Sequence, residues 1–145
     1  MNRLILAFAI VAVMPFVVLS TSVPLRLFPY SSAVVEVLLT YAAVVISFLG
    51  GIHWGVAVTQ YAAKRNIAHM LIAEGVWPSL VAWGVLFFGD TYTKLLVLTL
   101  LYTFVWTIDS LLYNNDMIPQ WFFNVRCIVT PIVVVSLYVA YFGLI

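Results

Sequence analysis

Charged residues are scarce in this sequence: Asp, Glu, Lys and Arg together make up 8% of the 145 residues, whereas 66% are hydrophobic. Soluble domains are roughly half apolar and about a quarter charged. So few charges cannot cover a water-exposed surface, and the composition therefore excludes an ordinary soluble domain. The formal net charge of +1 also provides no basic field for nucleic acid, so we expect no nucleic-acid partner.

The sequence also has little of what catalysis or metal binding usually needs. Its single cysteine, Cys127, has no partner within the chain, so there is no disulfide framework. The sequence lacks the His-Glu-x-x-His, Gly-x-Ser-x-Gly and paired-cysteine signatures of common metal and nucleophile sites. These absences argue against an enzyme, and we predict no catalytic residue and no cofactor. A metal held by His53, Glu74 and Asp109 stays open in principle, with the ion undefined.

Long apolar runs fill most of the chain. A hydrocarbon core about 30 Å thick takes about 20 apolar residues of helix to cross. Lipid requires every backbone polar group to be satisfied within its own segment or in a closed barrel, and a barrel would show short alternating strands. The sequence therefore predicts an all-α bundle of five transmembrane helices in a lipid bilayer, with no soluble domain. The predicted spans are TM1 4–22, TM2 34–59, TM3 67–89, TM4 93–114 and TM5 121–144.

The first of these segments has a second interpretation. Arg3 precedes the apolar stretch and two small residues, Ser20 and Ser22, follow it, as in a cleaved signal peptide. The stretch from Leu4 to Leu19 is rather long for a signal peptide, so we predict a membrane span.

The distribution of Lys and Arg between the two sides predicts the orientation of the bundle, because cytoplasmic connections carry the excess of positive charge. With five spans, four basic residues fall on one side and two on the other: Arg3, Lys64, Arg65 and Arg126 against Arg26 and Lys94. This asymmetry predicts a cytoplasmic N-terminus.

Four ionisable residues lie well inside the predicted spans: His53, Glu74, Asp109 and Arg126. Such residues usually face the interior of a bundle, a water-filled cavity or each other. Counted from the cytoplasmic end of each helix, all four lie roughly 8–10 Å deep. Four different helices therefore place a charged or titratable side chain in one layer.

The layer has two interpretations. Arg126 can bind a carboxylate, and Asp109 is the expected partner because a short turn joins TM4 to TM5. His53 and Glu74 would then be the less compensated, titratable part of the layer. The alternative is a structural clasp, since any buried charge in lipid requires a partner.

TM4 carries a stripe of polar and aromatic residues with the i, i+3, i+4, i+7 spacing of one helix face. Its members are Thr99, Tyr102, Thr103, Trp106, Asp109, Ser110 and Tyr113. The stripe could line a hydrated crevice that leads towards Asp109, or it could supply hydrogen bonds between helices.

TM2 carries small residues at every fourth position, namely Ala43, Ser47, Gly51 and Gly55. This pattern allows two helices to approach closely, so we expect these residues at a helix contact and TM2 near the centre of the bundle. Gly50 lies on the other side of TM2, which it shares with His53.

Two prolines lie inside predicted spans and should interrupt helical hydrogen bonds. Pro78 affects the carbonyl of Glu74, and Pro131 affects the carbonyl of Cys127. The freed acceptors could help to bind water or a ligand, or the prolines could simply shape the bundle.

Several runs of sequence resemble a family of small multi-pass membrane proteins of unknown function, the domain of unknown function 3429, which includes mitochondrial transmembrane protein 69. The resemblance covers roughly residues 40 to 130. It is carried by residues 47–55, with the Gly-Gly-Ile-His-Trp-Gly core, by residues 77–83, by Asp109, and by residues 119–122 followed by Arg126 and Thr130. It implies a five-helix protein of the bacterial inner membrane and a motif that includes His53, Trp54, Trp77, Pro78, Asp109 and Arg126. It implies no activity.

These observations define two sets of candidate residues. The candidates for handling a ligand or a proton are His53, Glu74, Asp109, Arg126, Trp54, Trp77, Trp106, Tyr102 and Ser110. The candidates for helix packing are Ser47, Gly51, Gly55 and Pro78. The favoured function is the binding or passage of a proton, an ion or a small polar solute. The alternative is a non-catalytic accessory or assembly subunit of a larger respiratory or photosynthetic membrane complex.

Overall fold

The computed structural model describes residues 2–145, and within them it contains only helices and the turns that join them. The six helices are α1 (Arg3–Ser22), α2 (Ser31–Gln60), α3 (Arg65–Glu74), α4 (Trp77–Phe88), α5 (Thr91–Asn114) and α6 (Gln120–Gly143). Because α3 and α4 form one interrupted span over Arg65–Phe88, the described chain has five segments that are long and apolar enough to cross a membrane. The predicted all-α, five-helix fold is confirmed.

Two of the six helices, α1 and α5, begin at side-chain caps. The side chain of Asn2 accepts a hydrogen bond from the Leu4 amide at the start of α1. Asp90 precedes α5 and accepts hydrogen bonds from both the hydroxyl and the amide of Thr93. The bond from the Thr93 hydroxyl is the main reason why the pKa of Asp90 lies below its ordinary value.

The third span is interrupted just after Glu74. Helix α3 ends there, and α4 begins at Trp77 with Pro78 in its first turn. TM3 was predicted over residues 67–89, with Pro78 in its interior interrupting helical hydrogen bonds; in the structure Pro78 lies in the first turn of a separate helix. Proline is well tolerated in the first turn of a helix, where an amide needs no helical acceptor. Pro131, in contrast, lies inside α6, which continues through it.

Helix α2 packs against α1, α3, α4 and α5, which agrees with its expected central position. A large apolar core fills the bundle on one side of His53 and includes Leu38, Leu39, Ile46 and Leu98. A second apolar cluster lies on the other side and includes Ala57, Leu71, Ile108 and Leu112. Along α2 and α5, His53 and Asp109 therefore lie between two apolar regions.

The closest contact between α2 and the third span is made by Gly50 and Gly75. A Cβ atom on Gly50 would collide with the carbonyl oxygen of Gly75, and one on Gly75 would lie 2.7 Å from the carbonyl oxygen of Gly50. Only two glycines allow the backbones to approach this closely.

The predicted helix contact at Ser47, Gly51 and Gly55 is wrong for this bundle. All three residues are exposed, and a Cβ atom on either glycine would meet nothing within 4 Å. The spacing identified a stripe of small residues, but that stripe lies on the outer face of α2.

Candidate functional site

The structure brings His53, Glu74, Asp109 and Arg126 together inside the bundle. They come from α2, α3, α5 and α6 respectively, and 1%, 3%, 0% and 4% of their surface is exposed. Each of these four helices contributes one residue, as expected from the equal depth of the four residues in the predicted spans. The four side chains are called the charged network below.

Hydrogen bonds join the charged network in series. Glu74 Oε2 lies 2.5 Å from His53 Nδ1, and His53 Nε2 lies 2.8 Å from Asp109 Oδ1. The other oxygen of Asp109 accepts a bond from Arg126 Nε at 2.6 Å. Asp109 therefore divides its two oxygens between an imidazole and a guanidinium, and the order along the network is Glu74, His53, Asp109, Arg126.

This arrangement requires a shared proton. A neutral imidazole has one N–H group, and an ionised carboxylate can only accept hydrogen bonds. His53 can therefore bond to both carboxylates in only two ways: it is an imidazolium with two donors, or one carboxyl group holds a proton. In either case, with Arg126 charged, the formal charges of the network sum to zero. Neutrality is expected for charges removed from water, since an uncompensated buried charge is costly.

The charged network is not saturated with hydrogen bonds. Glu74 Oε1 and Arg126 Nη2 are buried without a partner among the described residues, and so are Trp106 Nε1 and Thr130 Oγ1. A buried polar atom without a partner costs about 1–3 kcal/mol. Two members of the network therefore keep unused hydrogen-bonding capacity.

Trp54 stabilises the interruption of the third span. Its indole Nε1 donates to the carbonyl of Ile72 at 2.9 Å. The Val76 amide, which would serve that carbonyl in a continuous helix, donates instead to Ala73 at 3.2 Å. Trp54 was predicted to handle a ligand or a proton, but the structure places it on a freed backbone carbonyl. Its neighbour His53 bonds to Glu74 at the same interruption.

The other candidates on α5 and α4 lie outside the hydrogen bonds of the charged network. The hydroxyl of Tyr102 donates to the carbonyl of Ala42 at 2.8 Å and so ties α5 to α2. The ring of Trp77 packs on Phe104 with a centroid distance of 4.9 Å. Trp106 makes no hydrogen bond through its indole nitrogen to the described residues.

The hydroxyls of the α5 stripe bond within their own helix. Thr99, Thr103 and Ser110 each donate to the carbonyl four residues earlier. Such bonds satisfy hydroxyl groups in an apolar surrounding and need no water. The structure thus gives no support to a hydrated crevice along this stripe, nor to hydrogen bonding between helices by these three hydroxyls.

An ion pair at the opposite end of the bundle was not predicted from the sequence. Lys94 Nζ lies 2.9 Å from Glu36 Oε1 and joins α5 to α2. Lys94 is buried, whereas about half of the Glu36 side chain is exposed. Lys94 was counted as a charge outside the membrane, although the similar positions of both residues near the outer ends of TM2 and TM4 were a usable signal.

Both ring nitrogens of His53 already face carboxylate oxygens, so neither is free to bind a metal ion in this geometry. No group of His, Cys, Asp and Glu side chains in the described part of the chain has an arrangement that could hold one.

The fold and the charged network define a multi-pass membrane protein with a buried cluster of charges. Its sequence matches the family described as "Protein of unknown function (DUF3429)" over residues 1–142, and the chain belongs to that family. The resemblance expected from the sequence is thereby confirmed.

The chain is also similar to transmembrane protein 69 of Xenopus tropicalis, with 32% identity over 100 residues. The matched region covers 67% of this chain and 38% of the frog protein, so the chain corresponds to well under two thirds of that relative. No solved structure matches the chain.

Proposed function

We propose that the charged network binds and passes a proton as part of a transport or sensing device in the bacterial inner membrane. The observation that carries this proposal is that His53 contacts one buried carboxylate through each of its ring nitrogens. A single proton in this position can reside on any of three residues: Glu74, His53 or Asp109. Buried ionisable groups of this kind are typical of proton relays in membrane proteins.

Proton transfer along the network needs no large movement of side chains. A proton on Glu74 Oε2 moves to Nδ1 of His53 while the proton on Nε2 moves to Asp109 Oδ1. The two distances, 2.5 and 2.8 Å, are those of hydrogen bonds that a proton can cross. His53 ends as the other neutral tautomer, so the ring must exchange its protons before the next transfer.

Arg126 gives the network a direction. Its Nε group bonds to Asp109 and stabilises the ionised form of that carboxylate. Among the described residues, Glu74 has no arginine or lysine partner and its Oε1 atom has no hydrogen-bond partner. A stored proton is therefore more stable on Glu74 or His53 than on Asp109, and its transfer to Asp109 requires free energy.

The interruption of the third span supplies a means of coupling protonation to conformation. Glu74 is the last residue of α3, directly before Gly75. A proton on Glu74 changes its bond to His53 and so acts on the point where α3 and α4 separate. The two half-helices can then respond without breaking continuous helical hydrogen bonds.

Proton flux into reconstituted vesicles tests the proposal. Vesicles with an internal pH-sensitive dye receive an imposed pH gradient, and the initial rate is compared with that of protein-free vesicles. We expect a flux that His53→Ala and Glu74→Gln abolish. His69→Gln is the matched control, because His69 is exposed and bonds only to Tyr61 in the described structure. Absence of flux under every gradient would contradict the proposal and leave the network a structural clasp.

The outer face of α2 favours a second candidate function, that of an accessory or assembly subunit of a larger membrane complex. Ser47, Gly51 and Gly55 form an exposed strip, and no described residue lies within 4 Å of a Cβ atom placed on either glycine. Such a strip fits a helix of another membrane subunit. Purification from native membranes in mild detergent tests this: a stoichiometric partner lost in Gly51→Leu supports it, and an isolated protein contradicts it.

A further inference from the structure

A lateral crevice lies between α1, α2 and α6. Its volume is about 590 Å³, within the range of about 300–1,000 Å³ that small-molecule sites occupy. Its walls are almost wholly apolar and include Phe8, Ala9, Phe48, Ile52, Trp121 and Phe122. Because Phe8, Phe48 and Trp121 are exposed on the outside of the bundle, the crevice opens towards the lipid.

One charged side chain contributes to the wall of this crevice, and it is Arg126. Its Nε atom is bonded to Asp109, but its buried Nη2 atom has no acceptor among the described residues. The hydroxyl of Tyr41, which also lines the crevice, is already bonded to the carbonyl of Ala12 at 2.8 Å. Two donors of the wall keep N–H groups without an acceptor among the described residues, the exposed indole of Trp121 and the buried guanidinium of Arg126, and of these the guanidinium carries the charge.

The charge balance determines which kind of acceptor group can bond to the guanidinium of Arg126. With one shared proton, the formal charges of the network already sum to zero. A carboxylate or phosphate in contact with Arg126 would add an uncompensated negative charge next to Asp109 in a medium of low dielectric. A neutral carbonyl oxygen accepts the hydrogen bond without that penalty. A purely hydrocarbon ligand would leave the guanidinium unsatisfied.

The shape and composition of the walls indicate which ring and tail a ligand with this carbonyl group would carry. Phe122 lies one helical turn before Arg126 on α6, so an aromatic ring borders the donor directly. Phe8 and Phe48 face the same crevice from α1 and α2. Flat rings stack favourably on aromatic side chains, and an apolar tail can leave through the lateral opening.

We propose that this crevice binds a membrane quinone, an uncharged ring with carbonyl oxygens on an apolar tail, with one carbonyl accepting from Arg126. The inference uses the charge count of the network and does not require that the network moves protons. It assigns a ligand class to the face between α1, α2 and α6.

Photoaffinity labelling of the full chain in quinone-free phosphatidylcholine nanodiscs tests the inference. The probe is an azido derivative of ubiquinone with two isoprene units, and labelled peptides are located by mass spectrometry. We expect saturable labelling within residues 5–12 and 121–129, prevented by unlabelled ubiquinone but not by the same concentration of oleate. Labelling spread evenly over the outer surface would overturn the proposal. Competition by oleate as strong as that by ubiquinone would also overturn it, because the charge argument would be wrong.

Substitutions on α1 provide a matched pair of variants. Ala9→Trp fills the crevice with a large side chain and should lower labelling about tenfold, whereas Ala7→Trp, outside the crevice, should leave it unchanged. Ala12→Trp replaces Ala9→Trp if the latter does not fold. Equal labelling of the filled and control variants would contradict a quinone site. A phospholipid that stays bound in the crevice when ubiquinone is added would contradict it as well. Glu74→Gln, which leaves the network neutral with an uncharged His53, should keep the labelling, so loss of proton flux and loss of quinone binding are separate outcomes.

Discussion

His53 and Trp54, which are consecutive in α2, both contact the last turn of α3, directly before the interruption of the third span. His53 bonds to the carboxylate of Glu74 at 2.5 Å, and the indole of Trp54 donates to the carbonyl of Ile72 at 2.9 Å. One bond belongs to the charged network, and the other compensates the backbone where α3 ends. The two adjacent residues therefore tie the state of the network to the geometry of the interrupted span.

The bond from Trp54 can be removed while its aromatic bulk is kept. Trp54→Phe should lower the free energy of unfolding by about 1–3 kcal/mol, because the carbonyl of Ile72 then has no partner in an environment without water. Trp83→Phe is the control, since Trp83 is an exposed tryptophan whose described contact is an aromatic one with Phe87. Thermal unfolding in detergent compares the two variants, and equal melting temperatures would contradict the role assigned to Trp54.

The contact between Gly50 and Gly75 predicts opposite effects of the same change at two adjacent positions. Gly50→Ala should destabilise by about 1–3 kcal/mol or more, because the added methyl group meets the backbone of Gly75. Gly51→Ala has open space and should be neutral or stabilising by up to about 1 kcal/mol through helix propensity. Melting temperatures in detergent measure both; a larger loss at Gly51 would show that the two faces of α2 are wrongly assigned.

Removal of Arg126 should be severe and partly reversible by a second change. Arg126→Gln leaves the carboxylate of Asp109 without its cationic partner, and breaking a buried pair costs about 3–5 kcal/mol. Asp109→Asn in the same chain removes the stranded charge and should recover much of that loss. Chemical unfolding of the single and double variants measures the coupling, and additive effects would exclude a direct pair.

The ion pair at the other end of the bundle should contribute much less. About half of the Glu36 side chain is exposed, so its attraction to Lys94 is screened. Glu36→Gln should therefore lower stability by no more than about 1 kcal/mol. A loss as large as that of Arg126→Gln would indicate that Glu36 is buried in the membrane-embedded protein.

Simple physical reasons allow the sequence to predict the fold and the contact between the side chains of the charged network. Lipid forces long apolar runs into helices, and the fixed rise per residue converts positions such as His53 and Asp109 into depths. Equal depth and the cost of isolated charges then bring the side chains together.

Other features depend on which helix lies opposite, and spacing along one helix cannot supply that information. Gly50 and Gly51 are adjacent in the sequence, yet Gly50 contacts Gly75 whereas Gly51 faces outwards. The polar stripe of α5 was identified by its spacing, but Thr99 and Ser110 satisfy their hydroxyls on their own backbone and Thr103 is exposed. The interruption after Glu74 arises from the contact between Gly75 and α2 together with Pro78, and the proline alone indicated only part of it.

The protonation state of His53 tests the central claim most directly. The chain has two histidines, so His69→Gln leaves His53 as the only one, and ¹⁵N solid-state NMR in lipid then observes its two ring nitrogens alone. The account predicts that the protons on these nitrogens redistribute as the pH changes, between the two neutral tautomers or between the singly and doubly protonated ring, and that Glu74→Gln alters the pH at which they do so. One fixed tautomer and one fixed protonation state at every pH at which the protein remains folded would contradict a proton-exchanging network.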